Sequence, residues 1–450
     1  MASTKLTRTP SSAGNRKTYT ISMWIKGMGL GSQKTLLDSN FGGGSNEHRL
    51  LFKTGSNLEY YDYASSAYQF RYITNRLFRD VNAWYHIVCS VDTTQATASD
   101  RVKIYINGVQ ETSFSTETQP SQNLDTSLNT ANLHQFGTKN TGADYFDGSM
   151  SHIHFIDGTA YDASAFGEYD ANGVWTIKTS PSVTYGTNGF FILKDGNSVT
   201  DQSGNGNNWT VAGGTLTNTE DNPSNVFATL NPLNVPTSNA PTFSNGNTTS
   251  VTSSTTGIYQ FGGTTTLGMT SGKYYIEAKA TVDATYSRNV LLVTGEATTY
   301  ARTNSTSLSN STITYASEGG EVRKNGTLEY TGSTYTTGDI IQIALDLDNG
   351  YVYFGKNNTW QNSGDPTSGA TGTGGVSTID ISSTTDGAYF FGQGDNTGTS
   401  SPSKFDFNFG NGYFGTTPVA SAGTNASGNG IFEYDVPTGY TALSTKGLNL

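Results

Sequence analysis

Two acidic side chains, Glu59 and Asp62, flank a pair of tyrosines in a stretch that alternates like a strand. Retaining glycosidases need two carboxylates roughly 5 Å apart on one side of the substrate. An odd spacing in a strand sends side chains to opposite faces, so these two do not form such a pair. The sequence has no Glu-x-Asp-x-x-Glu run either. We therefore expect solvated acids here and no hydrolase activity.

His152 and His154 are a second candidate for chemistry, because they are one strand repeat apart. Both imidazoles are then expected on one face, where a third ligand from elsewhere could complete a metal site. Met150 and Ile156 are expected to share that face. These apolar neighbours favour structural histidines, and the metal site stays an alternative.

Three other motifs favour structure over chemistry. Residues 410–415 match G-x-G-x-x-G, but a Thr/Pro/Gly segment follows in place of a helix, which predicts a turn. Residues 346–350 begin like a calcium loop but are too short, which predicts a hairpin. Cys89, the only cysteine, lies in an apolar run and is expected in the core.

Strands are the elements that must position these residues, since period-2 alternation between turn clusters dominates the chain. It is clear over residues 19–25, 85–91 and 102–106. Asn-Gly pairs at 107–108, 325–326 and 349–350 predict type I′ hairpins. We expect no long helix, and we place Ile343, Leu345 and Phe407 in the core. The pattern predicts an all-β fold of sandwiches.

Composition excludes several classes of function. The net charge is −11, and most of the acidic excess follows residue 210. Such a surface repels phosphate, so we expect neither nucleic acid nor an anionic membrane as partner. Residues 1–10 are polar without an apolar h-region, so we expect no secretory signal and no membrane insertion.

The length of 450 residues predicts two domains. Residues 200–219 are dominated by Gly, Asn and Thr, and several prolines follow up to residue 241. We therefore predict a first sandwich at 1–215, a linker at 216–240 and a second sandwich at 241–450.

The first half resembles the laminin-G-like, concanavalin-A-like sandwich family. The resemblance rests on residues 83–88 (AWYHIV), 100–108 (DRVKIYING), 146–153 (FDGSMSHI) and 201–207 (DQSGNGN). It covers about residues 15–215. His152 and Ile153 stand where an acid and a valine are commoner in the family.

The second half resembles a SPRY domain, which is also a concanavalin-A-like sandwich. The matching segments are 271–277 (SGKYYIE), 338–350 (GDIIQIALDLDNG) and 405–410 (FDFNFG). Together the two resemblances imply two concanavalin-A-like antiparallel β-sandwich (jelly-roll) domains in tandem.

The pairing of the two halves resembles predicted structural proteins of marine tailed bacteriophages. Residues 6–10 (LTRTP), 74–86 (TNRLFRDVNAWYH) and 224–233 (SNVFATLNPL) also resemble that group. The resemblance implies a virion component, assembled in the host cytoplasm, whose partners are capsid, tail or vertex proteins and host surface glycans. A homo-oligomer is expected, with a trimer favoured by phage analogy alone.

Three functions remain open. The first is a structural or decoration protein attached to capsid or tail. The second is a receptor-binding tail fibre or spike, although no trimerising shaft is visible in the sequence. The third, least favoured, is a polysaccharide-degrading enzyme.

Candidate ligand residues are few, and we expect no cofactor beyond a possible structural calcium. Laminin-G-like domains often bind calcium at the sandwich rim, which makes Asp201, Asn205 and Asn207 candidates. The alternative, which we favour, is that they bond their own turn. Tyr145 and Trp175 lie among turn residues and are candidates for stacking on a sugar, against the favoured alternative of packing residues.

Overall fold

The structure, a computed structural model, describes residues 4–27, 31–41, 45–81, 83–171, 173–194, 198–253, 260–282, 289–296, 312–395 and 402–449. The chain divides into two compact units, residues 1–218 with 222–224 and residues 219–221 with 225–450. Strands and short 3-10 turns make up the regular structure in these ranges, and no α-helix occurs in them. The all-β prediction is therefore confirmed. None of the helical segments in this part of the chain is long and apolar enough to cross a membrane.

The strands of the first unit are β1 (Lys5–Arg8), β2 (Thr18–Lys26), β3 (Lys34–Phe41), β4 (Asn46–Phe52), β5 (Asn57–Ala64), β6 (Ala67–Leu77), β7 (Trp84–Asp92), β8 (Val102–Ile106), β9 (Val109–Gln110), β10 (Phe114–Thr118), β11 (His134–Phe136), β12 (Ser149–Asp157), β13 (Gly167–Tyr169), β14 (Trp175–Ile177), β15 (Phe190–Ile192) and β16 (Thr210–Gly213). Two antiparallel sheets result, in the orders β10-β6-β5-β4-β3-β11-β1-β16 and β15-β12-β2-β7-β8-β9. Strands β13 and β14 form a separate hairpin.

The core of the first unit lies between these two sheets. Alternate residues of β2, from Tyr19 to Ile25, are buried there, as the alternation predicted. Cys89 of β7 belongs to the same cluster and is fully buried, which confirms its predicted place in the core. Burial in an apolar setting raises the pKa of its thiol, so Cys89 packs as a small hydrophobic side chain.

A second, smaller layer covers the other face of the β15-β12-β2-β7-β8-β9 sheet. Val88 and Ile156 project from that face and pack against Ala163 and Phe166. Ala163 belongs to a 3-10 turn (Ala163–Ala165), and Phe166 immediately precedes β13. This layer, residues 158–186, matters for function because it places Trp175 over the sheet.

The strands of the second unit are β17 (Thr242–Ser244), β18 (Thr249–Val251), β19 (Gln260–Thr264), β20 (Lys273–Val282), β21 (Asn289–Thr294), β22 (Ile313–Ala316), β23 (Glu321–Lys324), β24 (Thr327–Thr331), β25 (Ile340–Asp346), β26 (Tyr351–Lys356), β27 (Thr359–Trp360), β28 (Ser377–Thr378), β29 (Phe390–Asp395), β30 (Lys404–Asn408), β31 (Tyr413–Phe414), β32 (Thr417–Pro418) and β33 (Thr441–Ala442). One sheet runs β17-β18-β30-β20-β25-β26-β27, with β28 paired to β26 and β33 added parallel to β20. The other runs β19-β29-β21-β22-β23-β24.

The core of the second unit contains the residues that alternation predicted. Ile343, Leu345 and Phe407 are completely buried, and all three belong to one apolar cluster. Behind the β20-β25 pair lies a second cluster, which includes Tyr275 and Phe432. The predictions for this core are confirmed.

Two of the three Asn-Gly pairs form the predicted turn. Asn107 and Gly108 have φ values of 49° and 82°, and the pair at 325–326 has 48° and 82°, as a type I′ turn requires. At 349–350 only Gly350 has a positive φ, and its amide donates to the Asp346 carbonyl. The third hairpin therefore has a longer loop, because Asp346 also accepts from the Asn349 amide and side chain.

Part of the segment predicted as a linker packs within the second unit. Phe227 and Leu230 are buried, and they bridge to Ser444 and Thr265 respectively. Leu230 belongs to the main apolar cluster of that unit.

Candidate functional site

His86 of β7 is the centre of an aromatic stack on the covered face of the smaller sheet. The Trp24 ring lies 4.7 Å from it and nearly parallel, at 11°. On the other side the Trp175 ring lies 5.9 Å away, at 18°. Alternation places Trp24 and His86 side by side on adjacent strands, and the 158–186 layer supplies Trp175.

Hydrogen bonds fix the tautomer of His86. The Trp175 indole N–H donates to Nδ1 at 3.0 Å, so the proton of the neutral ring resides on Nε2. Nε2 then donates to the Ser22 hydroxyl at 2.9 Å. Burial lowers the pKa of His86 to about 3, which keeps the ring neutral at ordinary pH. Trp175 is thereby held at both its ring face and its N–H.

Two glycines allow the indole of Trp175 to lie close to the backbone. A Cβ on Gly108, in the Asn107-Gly108 turn, would come within 2.4 Å of the Trp175 ring. A Cβ on Gly167 would come within 2.5 Å of the same ring. The Asn107 side chain also accepts from the His86 amide at 2.8 Å. The two motifs WYH and YING therefore meet at Trp175.

A solvent-open cavity of about 370 Å³ lies beside this stack. Most of its lining side chains are aromatic or polar, and they include Tyr105, Asp162, Glu168, Tyr169, Trp175 and Lys178. Tyr169 is 53% exposed, and its ring meets Trp175 edge to face at 4.9 Å. The cavity therefore offers a fixed indole and an exposed phenol.

Charged groups at the rim of the cavity already have partners within the protein. Asp162 accepts from the amide and hydroxyl of Ser164, so it caps the adjacent 3-10 turn. Lys178 donates to the Ser164 carbonyl at 2.9 Å and lies 3.7 Å from the Glu168 carboxylate, whose side chain is 62% exposed. An exposed pair of this kind exchanges partners at little cost, so both groups are available to hydroxyls of a ligand.

The two aromatic candidates from the sequence separate in space. Trp175 lines the cavity while half-buried by its packing against His86. Tyr145 is also half-buried but does not belong to the cavity lining. The sequence analysis missed three residues of the cavity lining, Glu168, Tyr169 and Lys178. The β13–β14 hairpin brings them next to Trp175, and nothing in the local sequence indicates this contact.

Asp201 faces its own turn. One carboxylate oxygen accepts from the amides of Phe191 and Ser203, at 2.9 and 2.8 Å. The other accepts from the Ser203 hydroxyl and the Asn207 amide, at 2.8 and 2.9 Å. Both oxygens are thus bound by donors of the protein, as expected of an Asx-type turn.

Asn205 and Asn207 hold the same turn against the preceding segment. Their side-chain amides donate to the carbonyls of residues 186, 187 and 189. The side-chain oxygen of Asn207 accepts from the guanidinium of Arg8. A cation here would have to displace Arg8 and several turn hydrogen bonds. Calcium at this turn remains a prediction, and the hydrogen bonds of Asp201, Asn205 and Asn207 agree with the alternative that they bond their own turn.

Both histidines of β12 lie against Phe191, but the apolar neighbours predicted for their face are divided between two faces. His152 has φ of 48° and sits at a bulge, where the pairing with β2 shifts register. The bulge moves Met150 to the main core, whereas Ile156 joins the outer layer. His154 packs on Phe191, with ring centroids 3.9 Å apart, and bonds the Tyr185 hydroxyl. Within the described residues no group of three or more His, Cys, Asp or Glu could hold a metal ion.

Glu59 and Asp62 lie on opposite faces of β5, as their spacing predicted, but neither is a solvated acid. Glu59 is 4% exposed and pairs with Arg71 at 2.7 Å. Asp62 is fully buried and bonds the His48 ring and the Ser127 amide. The expectation of solvated acids was wrong, because strand pairing put basic or polar partners opposite each acid.

In the second unit the buried acid is Glu277 of β20. Its carboxylate accepts from the amides of Glu433 and Tyr434, each at 2.8 Å, and from the Tyr275 hydroxyl at 3.0 Å. Burial nevertheless raises its pKa to about 7. These bonds attach the segment after β32 to the sheet, so the role of Glu277 is structural.

Comparison with known proteins agrees with the architecture of the first unit. Residues 2–164 match the family model described as the Concanavalin A-like lectin/glucanases superfamily. We refer to the first unit, which contains the matched residues, as the laminin-G-like unit. Trp24 and His86 lie within the matched residues, and Trp175 follows them in the same unit. The prediction of concanavalin-A-like sandwiches is confirmed. No curated protein matches the chain.

Several solved structures are similar in fold. The SPRY domain of human HERC1 is 16% identical, with 40% of this chain and 96% of that chain covered and a TM-score of 0.28. Mouse laminin alpha1 domains LG4-5 are 9% identical over 86% of this chain and 79% of that chain, with a TM-score of 0.29. A putative carbohydrate binding protein from Bacteroides ovatus is 14% identical over 48% and 60%, also with a TM-score of 0.29.

Proposed function

We propose that the protein is a non-enzymatic binding protein and that its laminin-G-like unit binds a saccharide at the Trp175 cavity. One observation carries the proposal. The cavity is open to solvent and combines two aromatic rings with charged rim groups, in a volume of about 370 Å³. That volume is in the range of small-molecule sites.

The chemistry of the lining fits a sugar better than a purely apolar ligand. A pyranose ring presents C–H groups on its faces and hydroxyls at its edge. The rings of Trp175 and Tyr169 suit the C–H face, and Glu168 and Lys178 suit the hydroxyls. A sugar hydroxyl both donates and accepts, so it can satisfy both members of that pair.

Preorganisation of Trp175 favours binding. Its indole is fixed by the His86 stack, by its N–H bond and by two glycines beneath it. A side chain already held in one rotamer loses little conformational entropy when a ligand arrives. Only Tyr169 and the rim charges then need to be ordered.

A glycan array probed with the labelled full chain tests the proposal, followed by calorimetry on the best glycan. Tyr169→Ala is the informative variant, because Tyr169 is exposed and its loss leaves the His86 stack intact. We expect it to weaken binding at least about tenfold, in line with the loss of one stacking contact. The matched control is Tyr68→Ala, an exposed tyrosine on the other sheet of the same unit, 41% exposed.

The outcomes separate clearly. Equal affinity of the Tyr169→Ala variant and the native chain would overturn the assignment of the site. Loss of binding by Tyr68→Ala alone would place the sugar on the large sheet. Absence of any glycan binding would remove the proposed function.

A lack of catalysis is part of the proposal. Glu59 and Asp62 are on opposite faces of one strand and are engaged in buried contacts. At the cavity, Asp162 caps a turn and Glu168 pairs with Lys178. Release of reducing ends from a bound glycan, abolished by a single carboxylate substitution, would contradict this.

For the biological setting we propose a tailed-phage virion component, attached to capsid or tail, with a tail fibre or spike as the alternative. The support is the sequence resemblance of residues 6–10, 74–86 and 224–233. Assembly in the host cytoplasm, virion partners and a homo-oligomer, trimer favoured, belong to the same proposal. Mass photometry of the isolated protein and its copy number in purified virions test it. A monomer that is absent from the virion would refute it.

A further inference from the structure

The charged side chains that line the Trp175 cavity are unequal in sign. Asp162 and Glu168 are acidic, whereas Lys178 is basic. The Lys178 ammonium is also engaged by the protein, since it donates to the Ser164 carbonyl at 2.9 Å. The described part of the lining therefore has an excess of negative charge, which attracts a cation and repels an anion.

Acceptor oxygens at the cavity outnumber the protein donors that reach them. Oδ1 of Asp162 accepts from the Ser164 amide and hydroxyl, but its Oδ2 accepts no hydrogen bond from the described residues. The Glu168 carboxylate is 3.7 Å from the Lys178 ammonium, which is beyond hydrogen-bond distance. Oδ2 of Asp162 and both oxygens of Glu168 are therefore open to the donors of a ligand.

Aromatic rings line the same cavity. Tyr105, Tyr169 and Trp175 belong to the lining, and the rings of Tyr169 and Trp175 meet at 69° with their centroids 4.9 Å apart. The face of such a ring attracts a cation through its quadrupole. Lys103, two residues from Tyr105 on β8, is paired with Asp100 at 3.0 Å, so that pair adds no net charge. The rings and the acids thus favour the same chemical group.

We propose that the saccharide bound at the Trp175 cavity carries a free ammonium group, as a glucosamine residue without an acetyl group does. The inference rests on the proposed saccharide binding and adds the class of sugar. The sugar ring stacks on Trp175 and Tyr169, and its ammonium donates to Asp162 or Glu168. An ammonium supplies three donors, and hydrogen bonds between two ionised groups are roughly twice as strong as those between neutral groups.

Two other classes of sugar fit this lining less well. An N-acetylated amino sugar has the same ring but no positive charge, so it gains neither the attraction to the acids nor that to the ring faces. A uronic acid brings a carboxylate towards Asp162 and Glu168, and Lys178 alone can balance it. We therefore expect affinity to decrease from the free amine to the N-acetylated sugar and then to the uronic acid.

Three tetrasaccharides test this order by calorimetry on the full chain. They are a β-1,4-linked tetramer of glucosamine, the same tetramer fully N-acetylated, and a tetramer of galacturonic acid. We expect the free amine to bind at least about tenfold more tightly than its N-acetylated form, and the acid to bind most weakly. Because salt screens exposed charges, the preference for the amine should decrease when NaCl is raised from about 0.05 M to about 0.5 M.

Two charge variants should change this preference in opposite directions. Glu168→Gln removes a negative charge, and we expect it to reduce the preference for the free amine to less than about threefold. Lys178→Gln removes the positive charge of the lining, and we expect it to increase the preference by at least about twofold. Glu117→Gln, at an exposed carboxylate on β10, is the matched control and should keep the native preference. If one of the two cavity variants fails to fold, the other decides.

The outcomes separate this inference from saccharide binding itself. If the N-acetylated tetramer binds as tightly as the free amine, or if both cavity variants keep the native preference, the ammonium is wrong and saccharide binding stands. The same holds if none of the three tetramers binds while another glycan binds and depends on Tyr169. Absence of binding by every glycan removes the proposed function and this inference together.

Discussion

Buried ionisable side chains define the laminin-G-like unit at the scale of single residues. All five histidines of the chain lie between positions 48 and 154, and the second unit has none. His86 and His154 are surrounded by aromatic rings, and burial lowers the pKa of both. The second unit instead buries Glu277, whose pKa burial raises. The two units should therefore respond differently to acid.

We predict that acid destabilises the laminin-G-like unit selectively. With a pKa of about 3 when folded and 6.5 when exposed, His86 binds fewer protons in the folded state than in the unfolded state. The contribution of His86 to the free energy of unfolding is complete above about pH 6.5. It is lost as the pH falls, and the loss is about 2 kcal/mol at pH 5. His134 and His154 act in the same direction, and the raised pKa of Asp38 opposes these three histidines. Calorimetry that resolves one unfolding transition for each unit, at about pH 7.5 and pH 5, measures the loss of Tm in each unit.

The second unit is the internal control for this measurement. The raised pKa of Glu277 means that its folded state binds more protons, so lowering the pH from about 7 favours folding there. Equal losses of Tm in both transitions would contradict the assignment to histidine.

Core packing in the second unit gives a prediction at Leu345. Leu345→Ala should lower the free energy of unfolding by about 2–5 kcal/mol, because the side chain is fully buried in the main cluster. Leu328→Ala, at a leucine that is 46% exposed on β24, should cost less than about 0.5 kcal/mol. Urea unfolding of the two variants provides the comparison, and similar losses would mean that the core is assigned wrongly.

At the scale of elements, the Asn107-Gly108 hairpin does more than reverse the chain. Its turn joins β8 to β9, contacts the His86 amide through Asn107, and leaves room for the Trp175 ring at Gly108. The β12 bulge acts similarly, since the register shift at His152 turns His154 towards the outer layer. Irregular positions in the strands thus shape the candidate site.

Gly108→Ala is predicted to destabilise the unit by more than backbone strain alone. The residue has φ of 82°, and a Cβ there would meet the Trp175 ring at 2.4 Å. Gly158→Ala is the matched control, with φ of 100° and no atom within 4 Å of its Cβ position. In urea unfolding we expect Gly108→Ala to lower the free energy of unfolding by at least about 1 kcal/mol more than Gly158→Ala does. A difference near zero would show that Trp175 moves aside freely.

At the scale of the whole molecule, the two units each have a core, and the segment joining them contributes to the second. Phe227 and Leu230 are buried although they precede the first regular strand of that unit. We predict that a fragment of residues 225–450 unfolds cooperatively, whereas a fragment of residues 241–450 is less stable by several kcal/mol, on the order of two large core side chains.

Thermal unfolding of both fragments measures this difference. Equal Tm values would indicate that residues 225–231 are dispensable, as the predicted linker at 216–240 implied.

Local patterns determined the strands of this protein, their buried faces and two of its turns. Alternation identified Ile343, Leu345 and Phe407, because a strand has only two faces and the apolar one must be covered. The type I′ turns at 107–108 and 325–326 follow from the positive φ that Asn and Gly accept. These are properties of neighbouring residues, so they are visible without the fold.

Only the tertiary structure decided which residues meet. The Trp24–His86–Trp175 stack joins three segments far apart in the chain. The pairing of Asp38 with Arg49 and of Asn40 with Glu47 across two strands depends on strand register. The bulge at His152 placed Met150 and Ile156 on different faces, although alternation had predicted one face for both. Register, bulges and partners are set by competition among long-range contacts, and such contacts leave no mark in the spacing of a single segment.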